Sequence, residues 1–356
     1  MKKMLKGNEA VAEAALRAGM RFYTGYPITP QTEVMEYLSW RMPELDRNFV
    51  QASSEIEAIN MIFGNAATGM RCMTSSCGPG ISLKQEGISY ICFNELPCVI
   101  LNVQRWGPGL GSMSSAQTDY LRETRGGGNG DYRVIVLSPN SVQESVDLMY
   151  GAFDLAEQYR VPVVILSEGS LGQMVEPCVM PEFKEGPGEF DWAYTGKYRH
   201  CRAIDFDLMP MYDVVNSAAY MRNKHARIME NEQRWESYMV EDAEYVLCSF
   251  GLTSRVTKET VKMLREKGEK VGMIRPISLW PFPMKAFTQL PDSVRALLCI
   301  EGNDTGQMIE DVALACKAAH RDLPIHLMAT GQFTATTKGI METYEKIKAG
   351  EMKEVF

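Results

Sequence analysis

No two of the nine cysteines, at positions 72, 77, 92, 98, 178, 201, 248, 299 and 316, are spaced C-x-x-C. Iron-sulfur and structural zinc sites draw two thiolates from one turn at that spacing, so a cluster, if the chemistry uses one, is expected on another chain. Cys72 and Cys77 come nearest, and their bland reading is two small buried residues. Neither a G-x-G-x-x-G fingerprint nor a G-x-x-x-x-G-K-[ST] phosphate loop occurs, which argues against a nicotinamide dehydrogenase and a P-loop enzyme. The net charge of −8 is spread along the chain without clustered Lys and Arg, so no nucleic-acid partner is expected. No stretch approaches the roughly 20 apolar residues of a membrane span. The start reaches Glu9 and Glu13 before any signal-like apolar run, and a cytoplasmic protein without membrane contact is expected. There is no internal repeat.

What is present is 356 residues at 45% hydrophobic content, enough for two packed α/β domains at roughly 150 residues each. Strand patterns near 21–24, 71–74, 99–103, 133–137 and 161–166 alternate with helical ones near 54–67, 79–92 and 141–159. Asn8 reads as the cap of a first helix and Pro30 as the opening of a second. The alternation predicts a largely parallel sheet covered on both faces. Strands near 245–249, 270–274, 296–300 and 325–327, with helices near 254–267, 306–320 and 338–349, predict a second, smaller α/β unit. An aromatic, charged segment containing Trp192, Tyr194, Tyr198, Trp235 and Tyr238 lies between them. The expected division is 1–182, a connection over 183–242, and 243–356.

Four segments stand at strand ends, the edge at which open α/β sheets bind ligands. In Gly25-Tyr26-Pro27-Ile28-Thr29-Pro30 two prolines stiffen the turn around Thr29, which reads either as a ligand contact or as a plain helix cap. In Gln51-Ala52-Ser53-Ser54-Glu55-Ile56-Glu57 the Glu55 carboxylate enters an apolar helix and is expected to be partly desolvated. Helix-dipole preference is its bland explanation, and Glu57 is expected in solvent. Gly78 and Gly80 in Ser76-Cys77-Gly78-Pro79-Gly80 allow close backbone approach to a planar ligand, or simply a tight turn. Arg105, followed by Trp106-Gly107-Pro108-Gly109-Leu110-Gly111, suits bidentate capture of a carboxylate, against the reading of a surface ion pair. The glycine-rich 125–132 reads as a loop ordered by a partner or ligand. Four such features converging on one edge make independent coincidence the poorer account.

With these strings the sequence resembles the α subunit of 2-oxoacid:ferredoxin oxidoreductases. The resemblance runs through Ala58-Ile59-Asn60, Ile81-Ser82-Leu83-Lys84 and Val103-Gln104-Arg105, and on to Ser249-Phe250-Gly251 and Arg275-Pro276-Ile277-Ser278-Leu279-Trp280-Pro281. It implies a two-domain α/β fold with mainly parallel sheets, a thiamine diphosphate pyrimidine-binding domain followed by a transketolase C-terminal-like one. It implies that Glu55 bonds N1′ of the aminopyrimidine and favours its imino tautomer, and that Thr29 and Arg105 hold the 2-oxoacid, Arg105 by its carboxylate. Pro27, Ile28, Gly78 and Pro79 would line the pyrimidine. The Gly-Asp-Gly signature for diphosphate and magnesium is missing. The resemblance therefore implies Mg²⁺ and 4Fe-4S clusters on β and γ partners, with a ferredoxin-like δ subunit also compatible. Coenzyme A would be cosubstrate, ferredoxin the electron acceptor, and no metal would be held by this chain, which would be inactive alone. Gly107 to Gly111 and Gly126 to Tyr132 are most similar to the type acting on 3-methyl-2-oxobutanoate (ketoisovalerate). The 2-oxoglutarate type and a non-catalytic scaffold or acyl-CoA-binding relative are the alternatives.

Overall fold

The computed structural model describes residues 2–110, 113–186, 188–196 and 214–356, with side chains from 219 onward in the last stretch. Gly111, Tyr198 and Cys201, named above, lie outside the described residues. The first part of the chain runs β1 (Lys2–Lys6), α1 (Gly7–Arg17), β2 (Phe22–Gly25), α2 (Thr32–Glu44), β3 (Asn48–Gln51), α3 (Glu55–Ala67), β4 (Cys72–Ser76), α4 (Gly78–Phe93) and β5 (Val99–Gln104). It continues through α5 (Tyr120–Arg125), β6 (Ile135–Leu137), α6 (Val142–Tyr159), β7 (Val163–Glu168), α7 (Gly169–Gln173) and β8 (Val175–Val179). The remainder is α8 (Val214–Asn231), β9 (Trp235–Tyr238), β10 (Tyr245–Cys248), α9 (Thr253–Glu266), β11 (Val271–Pro276), β12 (Ser278–Trp280), α10 (Met284–Thr288), β13 (Ala296–Glu301), α11 (Met308–Ala318), β14 (Ile325–Ala329) and α12 (Thr337–Lys348).

A seven-stranded sheet has the order β12-β6-β7-β5-β4-β2-β3, parallel except for β12. A five-stranded sheet has the order β14-β13-β10-β11-β9, parallel except for β9, and β1 pairs with β8 in a small antiparallel ribbon. The mainly parallel α/β architecture expected from the alternation is thus present. β5 explains the pattern: Val99, Leu101 and Val103 pack with α1, α2 and α6, while Ile100 packs on the opposite face. Successive side chains of a strand point to opposite faces, so a strand covered on both sides is apolar throughout. Each such side chain contributes about 1.5–3 kcal/mol on burial. Ile100 belongs to a cluster that includes Ile59, Ile81 and Ile88 from α3 and α4 and continues into Val246, Ile274 and Leu297 of the second sheet.

Several local expectations change. Asn8 does not cap α1; the cap position is Lys6, and the buried Asn8 side chain donates to Pro30 O at 2.8 Å and to Glu33 at 3.0 Å. Pro30 does not open a helix, because α2 begins at Thr32 with Gln31 before it. Thr29 is therefore no cap. Trp235–Tyr238, inside the segment read as a connection, is an edge strand antiparallel to β11. Ser278–Trp280 leaves the second unit to pair with β6 of the first sheet. The glycine-rich loop is ordered by its own chain: the Tyr132 hydroxyl accepts from Gly127 N and Gly128 N at 3.1 and 2.9 Å and donates to Gln85 of α4 at 3.0 Å. A Cβ on Gly130 would stand 2.3 Å from the Phe93 ring. No helix among the described residues is long and apolar enough to cross a membrane.

Candidate active site

Because β2, β3, β4 and β5 are parallel neighbours, their carboxyl ends lie side by side, with Gly25 opposite Gln51 and Ser76 opposite Asn102. The four segments singled out above leave the sheet along this edge.

Glu55 is the first residue of α3 and is 6% exposed. Ser54 caps the helix, accepting from Glu57 N at 3.1 Å, and Glu57 in turn accepts from Ser53 N at 2.6 Å. These Ser53 bonds hold the Glu57 carboxyl below its ordinary range. One glutamate is spent on the cap; the other is left free. The Glu55 carboxylate accepts no hydrogen bond from a described residue, and the helix N-terminus favours its charge. It lies against Gly80 of α4, where an added Cβ would stand 2.1 Å from Ser76 Oγ and 2.7 Å from Glu55 Oε1. Ser76 Oγ is itself buried without a partner. Deeper in the same place, Lys84 Nζ donates to Thr74 Oγ1 at 2.6 Å, and burial pushes the lysine down to about 7 against the opposing charge of Glu55.

Arg105 follows β5 and reaches back to the Gly25–Pro30 turn. Its Nη1 donates to Thr29 O at 2.7 Å and Nη2 donates to Gly109 O, while its buried Nε has no partner. Cys77 Sγ also donates to Thr29 O, at 3.1 Å. Burial pushes the Cys77 thiol up to about 12, with Arg105 pulling the other way, so it stays a neutral donor. Gly78 begins α4 at φ +32, and the backbone of Gly109, at φ +82, lies so close to Pro79 that a Cβ would meet its ring at 2.5 Å. Thr29, Cys77, Gly78, Pro79 and Arg105 are thereby brought together. Ile28 is half-buried and Pro27 exposed, and neither bonds to the Glu55 or Arg105 side chain.

Behind this set, Asn102 donates to Asp119 at 3.0 Å and Glu123 at 2.9 Å, and burial pushes Glu123 up to about 6. Arg122 joins these carboxylates to the site: it pairs with Asp119 at 2.5 Å and donates to Gly78 O at 2.9 Å. Buried polar atoms without partners gather at the same strand ends, on Ser76, Asn102, Gln104 and Arg105. Such atoms are costly unless a ligand or water satisfies them. The Trp106 indole donates to Asp304 of the second unit at 3.1 Å. Gln117 is a further tie, donating to Phe250 O at 2.9 Å and to Glu168 at 3.0 Å. Among the described residues, no group of three or more His, Cys, Asp or Glu is placed to hold a metal ion.

Residues 13–241 match the family of pyruvate flavodoxin/ferredoxin oxidoreductases, thiamine diphosphate-binding, and residues 243–340 match pyruvate:ferredoxin oxidoreductase core domain II. The ketoisovalerate oxidoreductase subunit VorB of Methanothermobacter marburgensis is 47% identical over 320 residues, spanning 88% of this chain and 89% of that protein. This chain belongs to the 2-oxoacid:ferredoxin oxidoreductase family, as an α-type subunit. The 2-oxoglutarate synthase subunit KorA of the same organism is 35% identical over 340 residues, spanning 86% of this chain and 89% of that one. Among solved structures, 2-oxoglutarate:ferredoxin oxidoreductase from Magnetococcus marinus, with 2-oxoglutarate, coenzyme A and succinyl-CoA bound, matches at a TM-score of 0.84 and 26% identity. That match takes in 97% of this chain but only 65% of the other. A split-gene transketolase at 14% identity and TM-score 0.60 shares the fold.

For an oxidoreductase α subunit of this kind, the residues present fit the thiamine pyrimidine. The buried Ser76 hydroxyl has no partner and the Glu55 carboxylate accepts no hydrogen bond from a described residue, so both polar groups, packed against Gly80, are left for a polar heteroaromatic edge to satisfy. Three residues of the site were not singled out from the sequence: Ser76, Lys84 and Arg122. Lys84 carries a legible signal, since it falls between Gly80 and Gly87 on one helical face. Arg122 carries none, because its approach to Gly78 depends on how α5 folds back.

Proposed function

We propose that this chain forms the pyrimidine-binding and substrate-gripping half of a coenzyme A-dependent 2-oxoacid:ferredoxin oxidoreductase acting on 3-methyl-2-oxobutanoate. The observation that carries the reading is the meeting of two sets at one sheet edge, Glu55 with Ser76 and Gly80, and Arg105 with Thr29. Thiamine diphosphate, when bound, supplies the nucleophilic carbon and the electron sink for decarboxylation. Glu55 would hold a proton at the pyrimidine N1′, with Ser76 and Gly80 fixing the ring's edge and Gly78 and Pro79 its face. Arg105, with Thr29 beside it, would pair the substrate carboxylate and orient the keto group. Pro27 and Ile28 would border the same cleft. Diphosphate, Mg²⁺ and 4Fe-4S clusters are assigned to β and γ partners, with ferredoxin as acceptor, in a cytoplasmic complex that is inactive without β. We further take 1–182, 183–242 and 243–356 as its units, allowing for the exchange of β12 into the first sheet.

A substrate with one carboxylate is favoured by Arg122. It is the second guanidinium at Gly78, yet it is already paired with Asp119 at 2.5 Å and Glu123 at 3.4 Å. Capturing a second carboxylate would strand those two acids. Co-expression with β and γ partners, followed by anaerobic, coenzyme A-dependent viologen reduction, tests the reading. Ketoisovalerate as the best substrate supports it. Preference for 2-oxoglutarate would keep the reaction and overturn the substrate, and no turnover from an assembled, thiamine-loaded complex would favour a scaffold.

A further inference from the structure

The Arg105 guanidinium is held by Thr29 O and Gly109 O, and the Arg105 backbone is held from another direction, by the stretch that leads into α5. The Thr118 hydroxyl donates to Arg105 O at 3.1 Å, and Trp106 N donates to Ser114 O at 2.8 Å. Residues 113–119 belong to no helix or strand. Their backbone groups have no ladder to join, so their placement depends on individual hydrogen bonds.

Most of those bonds come from the second unit. β13 ends at Glu301, and the loop after it, residues 302–307, meets the stretch. Gln117 N donates to Gly302 O at 2.6 Å, Gly302 N donates to Gln117 Oε1 at 2.9 Å, and Asn303 Nδ2 donates to Gln117 O at 3.3 Å. The Gln307 side chain takes the next residues: its Nε2 donates to Thr118 O at 3.1 Å and its Oε1 accepts from Leu121 N at 3.0 Å. The loop is itself built around the buried Glu301 carboxylate, which accepts from Gln307 N, Met308 N and Ile309 N at 2.8, 2.8 and 2.9 Å. A buried polar network satisfied in this way fixes one conformation. Thr118 is where the network reaches the site, with its carbonyl on Gln307 and its hydroxyl on Arg105.

A fork that pairs a carboxylate needs placement to within about 0.5 Å, and a backbone free to move beneath it loses binding energy to ordering. Resting on the reading of Arg105 as the group that pairs the substrate carboxylate, we propose that Thr118 is a positioning residue, through which the 302–307 loop of the second unit holds Arg105 in place for the 2-oxoacid. The second unit supplies none of the groups assigned above to the substrate or to thiamine. It sets substrate affinity from behind the site, by way of Gln307 and Thr118.

The test uses the assembled complex with β and γ partners and the variants Thr118→Val, Thr118→Ser, Gln307→Met and Arg105→Ala. Thr118→Val keeps the volume and loses the bond to Arg105 O. It should raise KM for the 2-oxoacid by about three- to tenfold, the worth of one hydrogen bond, with kcat and KM for coenzyme A within about twofold. Thr118→Ser retains the hydroxyl and should restore KM, which a loss of packing alone would not predict. Added to Arg105→Ala, Thr118→Val should have no further effect, because a residue that acts through Arg105 then has nothing to position. Gln307→Met loses the bond to Thr118 O at nearly constant volume and should raise the same KM, so the proposal stays testable if Thr118→Val fails to assemble. Wild-type KM in whichever of these two variants assembles, or an undiminished Thr118→Val effect in the Arg105→Ala background, would overturn the role of Thr118 alone. Wild-type KM in Arg105→Ala would overturn it together with the reading on which it rests.

Discussion

The Arg105 guanidinium donates to the Thr29 carbonyl oxygen at 2.7 Å, tying the end of β5 to the turn after β2. Its second nitrogen is spent on Gly109 O, so the fork is held in one orientation by two backbone acceptors. Charge-assisted bonds are worth about 1.5–3 kcal/mol each. Arg105→Ala in the assembled enzyme should lower kcat/KM for the 2-oxoacid by about 10²-fold, chiefly through KM. Arg105→Lys should recover little, because a point charge cannot hold Thr29 and Gly109 and still pair a carboxylate. Steady-state kinetics on purified complexes checks both, and an Arg105→Lys enzyme with wild-type KM would remove the assigned role.

Glu55 accepts no hydrogen bond from a described residue, and the charge it acts on, Lys84, keeps its own bond to Thr74. Glu55→Gln keeps the shape and should leave the melting temperature unchanged, while kcat falls by about 10²- to 10⁴-fold, the range for loss of a positioned proton donor or acceptor. A comparable fall in melting temperature would instead mark Glu55 as a packing residue.

Gly80 is needed for space rather than for backbone freedom. Gly80→Ala would place a methyl 2.1 Å from Ser76 Oγ and 2.7 Å from Glu55 Oε1. Overpacking of this sort costs about 1–3 kcal/mol, and the displaced Glu55 should weaken thiamine diphosphate binding by more than about tenfold. Titration calorimetry on the complex reads the second effect separately from the first.

Glu168 couples the two units to pH. It accepts from Leu252 N at 2.7 Å and Gln117 at 3.0 Å, and burial pushes its pKa from 4.5 up to about 7. Between those values the native chain holds a proton that the unfolded chain has released. Its contribution to stability is therefore full below the lower value, declines as pH rises toward the upper one, and is flat beyond it. Glu168→Gln can still accept both bonds and lacks this dependence. Its melting temperature should gain on the wild type as pH is raised from about 5 to about 7.5, and parallel melting curves would show that Glu168 stays ionised in the fold.

The regular elements were legible because each strand and helix announces itself within its own stretch. The helical pattern at 54–67 became Glu55–Ala67, and the strand pattern at 99–103 became Val99–Gln104. The failures share a physical cause. Asn8 has the chemistry of a cap, but a buried bond to Pro30 O claims it. Pro30 has the geometry of a helix start, but the turn holds it two residues short of one. The glycines of 126–130 look free until Tyr132, Gln85 and Phe93 close on them. In each case a long-range contact outweighed a local preference worth about 1 kcal/mol.

The sequence by itself determined the class of fold and the sheet edge at which the candidate residues gather, because hydrophobic period and strand-end glycines, prolines and charges are local properties. It also supplied Glu55, Thr29 and Arg105 as candidates. Tertiary structure alone decided their company: that Glu55 is unpaired while Glu57 is spent on the cap, that Arg105 closes on Thr29 O, and that Arg122 is already neutralised at Gly78. It also decided that Lys84 is fully buried with the Thr74 hydroxyl as its acceptor. Charge and hydrogen-bond satisfaction depend on distances across the fold, and chain order does not encode those distances one residue at a time.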